Sequence, residues 1–134
     1  MTLLDTSAVV SFFITDKHTE KAEHIFQNVF DGDIEGAITD LILVEVCGVL
    51  RRRANKESAE ITFHKLNSWI ESGMLQLLHQ NEDVVSLACT FAIQYGIKGA
   101  DALIAATADY YGMKLVTFDE EVREKLTGKI KFYP

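Results

Sequence analysis

Leu3-Leu4-Asp5-Thr6-Ser7-Ala8 near the start of the chain and Leu115-Val116-Thr117-Phe118-Asp119 near its end share one arrangement, an apolar run that closes on an aspartate. Short apolar runs of this kind read as buried strands. A buried strand end is an expensive place for a carboxylate unless something compensates its charge. Each aspartate alone also reads as the N-cap of a following helix. Taken together, the two segments predict a pair of strands that deliver an aspartate each to the same edge of one sheet.

Working outward, the runs at Gly36–Thr39, Leu75–Leu78 and residues 130–132 read as further strands. Between them the apolar spacing turns helical. Ala22, Ile25, Phe26, Val29 and Phe30 form one face, with Thr19 as N-cap and Gly32 as stop. Asp40 precedes a run carrying Leu43, Val46, Cys47 and Leu50; Ile61, Leu66, Trp69 and Ile70 form the next face, closed by Gly73. Asn81 caps a helix with Val84, Leu87, Ala88, Phe91 and Ala92 inward, and Gly112 stops another that carries Leu103, Ile104, Ala106 and Ala108. Strands alternating with helices predict an α/β fold with a mostly parallel sheet covered on both faces. Ligands of such sheets bind outside the carboxyl ends of the strands, where the strand order reverses.

The 134 residues predict one domain, residues 1–134, and 48% of them are apolar, too many for a disordered chain. No apolar run approaches a membrane span, and Asp5 interrupts the N-terminal apolar stretch, which argues against a signal peptide. Two cysteines make no disulfide framework. The expectation is a soluble cytoplasmic protein without a membrane partner. The net charge of −7 argues against a generic nucleic-acid binder. Acidic excess also arises where carboxylates gather to hold a cation.

Two more acids stand out. Asp101 opens the nearly all-apolar run Ala102-Leu103-Ile104-Ala105-Ala106, and Glu45 is the one charge between Asp40 and Arg51. The helix dipole favours a first-turn acid such as Asp101 but does not explain one beside so apolar a helix. Glu45 reads as pointing into something specific, because glutamate is almost never buried unpaired. Asp5, Glu45, Asp101 and Asp119 gathered at one sheet edge would repel one another, and a hard divalent cation, Mg²⁺ or Mn²⁺, resolves that conflict.

In order along the whole chain, Leu3-Leu4-Asp5-Thr6-Ser7-Ala8, Thr39 followed by Glu45, the Asp101 helix and Leu115-Val116-Thr117-Phe118-Asp119 resemble the PIN-domain ribonucleases. The resemblance is to the small single-domain kind that includes toxins of toxin–antitoxin pairs. It implies a three-layer α/β/α fold and a Mg²⁺- or Mn²⁺-dependent endoribonuclease acting on RNA. It implies that Asp5, Glu45, Asp101 and Asp119 are the catalytic and metal-binding acids, with Thr6, Ser7, Thr39 and Thr117 as supporting hydroxyls. Products would carry 5′-phosphate and 3′-hydroxyl ends. An antitoxin and a second copy of the chain are the implied partners. Where many relatives place an aromatic residue after the last acid, this chain has Glu120 and Glu121, which read either as extra ligands or as surface.

The remaining surface is only mildly acidic, because without the four site acids 16 acidic residues face 13 basic ones. Arg51, Arg52, Arg53 and Lys56 form the dense basic cluster, placed for RNA contact, for docking an acidic partner segment, or simply for the helix dipole. His18, His24, His64 and His79 lack ligand spacing and read as surface or core. Cys47 and Cys89 read as small buried hydrophobes, and Trp69 as core. Val9, Val10, Phe12, Phe13 and Ile14 exceed one helix face, so they read either as core or as an interface. Two alternatives to the nuclease remain: a catalytically silent RNA- or protein-binding module on the same fold, and a phosphoryl-group enzyme on another doubly wound fold. The latter is weak, since Ser7 stands where a haloacid-dehalogenase-like phosphatase needs its second aspartate.

Overall fold

The structure is a computed structural model that describes residues 1–134. Four strands, β1 (Thr2–Leu4), β2 (Gly36–Thr39), β3 (Leu75–Leu78) and β4 (Lys114–Val116), alternate with seven helices. These are α1 (Thr6–Phe13), α2 (Thr19–Phe30), α3 (Asp40–Arg53), α4 (Lys56–Glu71), α5 (Glu82–Tyr95), α6 (Gly99–Tyr110) and α7 (Glu120–Leu126). All strand pairs are parallel, in the order β3-β2-β1-β4. The result is the expected three-layer α/β/α arrangement around a parallel sheet.

That order puts the topological switch between β1 and β4. The chain leaves β1 toward β2 and β3, then returns on the opposite side of β1 through α5 and α6. The crevice at the carboxyl ends of β1 and β4 is where such a sheet opens for a ligand.

Strands β1 and β2 are buried along their whole length, so they read as continuous apolar runs rather than alternating ones. Leu3, Leu4, Ile38, Ile42, Leu66, Ile104, Leu115 and Phe26 fill the core without solvent contact. Each such side chain contributes on the order of 1.5–3 kcal/mol by leaving water. Phe12, Phe13 and Ile14 pack onto this core instead of forming an outer patch. Phe12 stacks on Phe26 at 4.3 Å, and Phe13 on Trp69 at 5.8 Å.

Several sequence expectations shift. The strand expected at residues 130–132 is reduced to isolated bridges, Leu115 with Phe132 and Thr127 with Ile130. It meets β4 through Leu115, whose amide donates to the Lys131 carbonyl at 2.9 Å and whose carbonyl accepts from the Tyr133 amide at 2.9 Å. The strand expected at 115–118 stops at Val116, where the backbone turns toward the N-cap of α7. Cys89 is exposed rather than buried, while Cys47 is half-buried and burial raises its thiol pKa. Ile61, expected inward, is 49% exposed, since α4 turns Thr62 and Leu66 to the core instead. No helix is long and apolar enough to cross a membrane.

Candidate active site

Asp5 leaves the end of β1 in extended conformation and becomes the N-cap of α1, its carboxylate accepting from the Thr6 amide at 2.7 Å. Its amide donates to the Val116 carbonyl at 3.0 Å, which carries the β1–β4 pairing one residue further. Asp119 follows β4 and caps α7, accepting from the amides of Glu121 at 3.0 Å and Val122 at 3.3 Å. Both aspartates are therefore N-caps, as the conservative reading of each had it. The parallel β1–β4 pairing still brings them to the same sheet edge.

The hydroxyls tie these pieces together. Thr117 Oγ1 donates to Asp5 Oδ2 at 2.6 Å and accepts from the Asp119 amide at 3.1 Å. Ser7 Oγ donates to the same Asp5 oxygen at 3.2 Å and accepts from the Phe118 amide at 3.0 Å. Thr6 Oγ1 donates to Glu45 Oε1 at 2.7 Å, so the first turn of α1 orients an acid on α3. Thr39 differs from the other three. It is fully buried as the N-cap of α3, where its oxygen accepts from the Ile42 amide at 3.2 Å, and it bonds to none of the four acids.

Asp101 stands in the first turn of α6, whose Ala102, Ile104, Ala105, Ala106 and Ala108 are buried. Small side chains let that helix lie close to the sheet, and buried Thr107 satisfies its hydroxyl on the Leu103 carbonyl at 2.7 Å. Asp5, Thr6, Ser7, Glu45, Asp101 and Asp119 all line one cleft of about 400 Å³. The expected acids thus arrive from four separate segments at one place.

The charge state records that crowding. Burial pushes the Asp5 pKa from 3.8 up to about 6, with the charge of Asp101 adding to the rise against the hydrogen bonds from Thr117, Thr6 and Ser7. Asp101 is also raised, first by burial and then by the negative charges of Asp119 and Glu45. Glu121 adds a smaller repulsion on Asp101, but its own carboxylate pairs with Lys125 at 2.8 Å and is held below its usual range by that lysine. Glu120 is exposed and does not line the cleft.

The donor set fits a hard divalent cation by chemistry, since every candidate ligand is a carboxylate. No three acids close together at distances that would let them share one ion. Mg²⁺ retains several waters and is commonly held by one or two carboxylates, so a hydrated ion fits this wider spacing.

The cleft also contains one member of the basic cluster and several residues that carried no site reading in the sequence. Arg53 lines it, whereas Arg51, Arg52 and Lys56 lie outside it on exposed surface, Lys56 within 3.8 Å of Glu60. The i, i+4 spacing of Glu45, Val49 and Arg53 puts all three on one face of α3, a signal present in the sequence. Ser11, Asp16, His18 and Phe118 complete the wall. Burial opposes ionisation of Asp16, but the His18 amide, the Ser11 hydroxyl and the charges of His18 and Arg53 hold its carboxyl below the usual range.

Four carboxylates around a cleft at the switch point of a parallel sheet define an acid-lined α/β domain built to meet a cation or a polyanion–cation complex. The chain belongs to the PIN domain family, whose sequence model matches residues 2–125. It is similar to ribonuclease VapC6 of Methanocaldococcus jannaschii, at 28% identity over 88% of either chain. Its fold is similar to that of Mycobacterium tuberculosis VapC20, a sarcin-ricin loop cleaving toxin, with a TM-score of 0.78 and 16% identity over the full length of both chains. It is also similar to VapBC2 from Rickettsia felis, solved on a DNA fragment from their promoter, with a TM-score of 0.70 and 19% identity over 97% of this chain and 96% of the other.

Proposed function

We propose that this chain is a metal-dependent endoribonuclease that hydrolyses phosphodiester bonds of single-stranded or structured RNA, and that it is the toxin of a toxin–antitoxin pair. The observation that carries the reading is the meeting of Asp5, Glu45, Asp101 and Asp119 on one cleft, with Asp5 and Asp101 both resisting ionisation. A scaffold has no use for carboxylates that repel each other across a cleft.

In this reading Asp5, Glu45, Asp101 and Asp119 would hold hydrated Mg²⁺ or Mn²⁺, one or two carboxylates contacting an ion directly. When bound, the ion lowers the pKa of a coordinated water and offsets the charge that develops on phosphorus. The chain's own contribution is orientation. Thr117 and Ser7 fix the Asp5 carboxylate, Thr6 fixes Glu45, and the α7 amides fix Asp119. The Arg53 guanidinium flanks the acids and takes a neighbouring phosphate. The toxin assignment draws on the similar VapC proteins, and it brings with it an antitoxin partner, a homodimer and a cytoplasmic setting.

The test is cleavage of a fluorescent single-stranded RNA pool by the purified protein with Mg²⁺ or Mn²⁺. Cutting that EDTA abolishes, leaving 5′-phosphate ends, is expected. A folded, partner-free preparation that cuts nothing under either ion would point to the silent binding module instead.

A further inference from the structure

The cleft has a second wall that the acids do not account for. His18 and Phe118 stack there, ring centroids 4.6 Å apart and planes within 16° of parallel, and both side chains line the same cleft as Asp5 and Asp119. Phe118 is rigidly placed relative to the acids, since it immediately precedes Asp119 and its amide donates to Ser7 Oγ at 3.0 Å. The His18 backbone is also held: its amide donates to Asp16 Oδ1 at 2.8 Å, and Asp16 Oδ2 accepts from Ser11 at 2.9 Å. The Asp16 amide in turn donates to Thr19 Oγ1 at 2.7 Å, which fixes the turn that carries His18.

Helix capping does not call for a histidine at this position, although its charge does favour the Asp16 carboxylate. His18 is the N-cap of α2 yet makes no side-chain capping hydrogen bond, where Ser, Thr, Asp or Asn would serve the helix better. The charged residues of the cleft are mostly acids, Asp16 in the same turn as His18 included, yet two cations also reach this wall. Lys21 Nζ lies 5.9 Å from the Phe118 ring centroid, and Arg53 lines the same cleft. A stacked aromatic surface flanked by cations is the combination that captures single-stranded nucleic acid, through base faces and phosphates respectively.

We propose that the His18–Phe118 pair is a base-stacking subsite, which receives one unpaired nucleobase of the RNA next to the linkage held at the four acids. The proposal rests on the ribonuclease reading and deepens it by assigning the part of the substrate that this wall contacts. Stacking tolerates any base, because every base offers a π face, but it requires a nucleotide that is free of its own stack. The subsite therefore selects flexible or looped RNA rather than a base sequence.

The experiment is a cycle between protein and substrate. An oligoribonucleotide cut from the pool by wild-type protein is remade with an abasic nucleotide at each position around the cut. One position should lower wild-type kcat/KM by about 5- to 100-fold, carried mainly by KM. His18→Ala should lose a similar factor on intact RNA and nothing further from the abasic change at that position. His18→Phe should restore both the rate and the sensitivity. If His18→Ala does not fold, His18→Ser takes its place in the cycle.

Equal abasic penalties in wild type and variant would mean that His18 is only structural, and would overturn the subsite alone. Binding of single-stranded RNA carrying 2-aminopurine supplies a readout without turnover. Quenching that depends on His18 in a protein that cuts nothing would keep the subsite and remove the nuclease. Neither cutting nor quenching would overturn both.

Discussion

The two ends of α1 were built by opposite rules. Its C-terminal end carries Phe12 and Phe13 into an aromatic pack with Phe26, Phe30 and Trp69, where every ring lies within about 6 Å of another. Its N-terminal end holds Asp5, Thr6 and Ser7 against three other acids, in a site whose carboxylates oppose one another's ionisation. One helix therefore joins a region that stabilises the protein to a region that destabilises it. A rigid core can tolerate local repulsion of this size, and such repulsion is a common mark of a functional site.

That contrast breaks apart under substitution. Asp101→Asn should lower RNA cleavage by more than about 100-fold, beyond the loss usual for groups that only orient metal ligands. The same change should raise the melting temperature in metal-free buffer, because it removes a charge that Asp119 and Glu45 repel. Kinetics and thermal unfolding on one preparation check both outcomes. Phe26→Ala at the other end should do the reverse. It should cost about 3–5 kcal/mol in denaturant unfolding while the folded fraction keeps its kcat.

The acidic end should also show in the pH dependence of stability without metal. Between pH 3.8 and about 6 the folded protein retains a proton on Asp5 that the unfolded chain has released. Stability contributed by that proton is complete below the lower value and is lost as pH rises through the upper one. The loss amounts to about 3 kcal/mol. Denaturation curves across this range should be flatter for Asp5→Asn than for wild type.

A smaller effect belongs to the hydroxyl between β4 and Asp5. Thr117→Val should reduce cleavage by about 10- to 100-fold, since it frees the Asp5 carboxylate to rotate. Smallest of all, Arg53→Gln should weaken RNA binding and reduce the salt slope by about 0.7, the value for one contact to single-stranded phosphate. Arg51→Gln, outside the cleft, should leave that slope unchanged.

What could be read from the sequence follows from how local each signal is. The four acids were visible because Asp5, Asp101 and Asp119 sit at strand ends or a helix start, and Glu45 is the one charge in the apolar run of α3. Parallel pairing was visible because helical runs separate the strands. The contacts that finish the site were not, because Ser7 and Thr117 are 110 residues apart and meet only through β1–β4 pairing. His18 and Phe118 are joined in the same way, and a histidine without ligand spacing gives no hint of an aromatic partner. Among the three arginines, helix phase did favour Arg53, since it repeats Glu45 and Val49 at i+4. Misplacements such as Ile61 and Cys89 reflect apolar residues that a small domain leaves on its surface.

The most direct measurement is thermal unfolding of the metal-free protein titrated with Mn²⁺, in parallel with Asp101→Asn. The account predicts saturable stabilisation of the wild type, reaching about 2.7 kcal/mol at 100 times the dissociation constant, because the ion relieves repulsion present only in the folded state. The variant should begin more stable and gain much less. Equal response of both proteins, or none from the wild type at millimolar Mn²⁺, would contradict the claim that these carboxylates form a cation site.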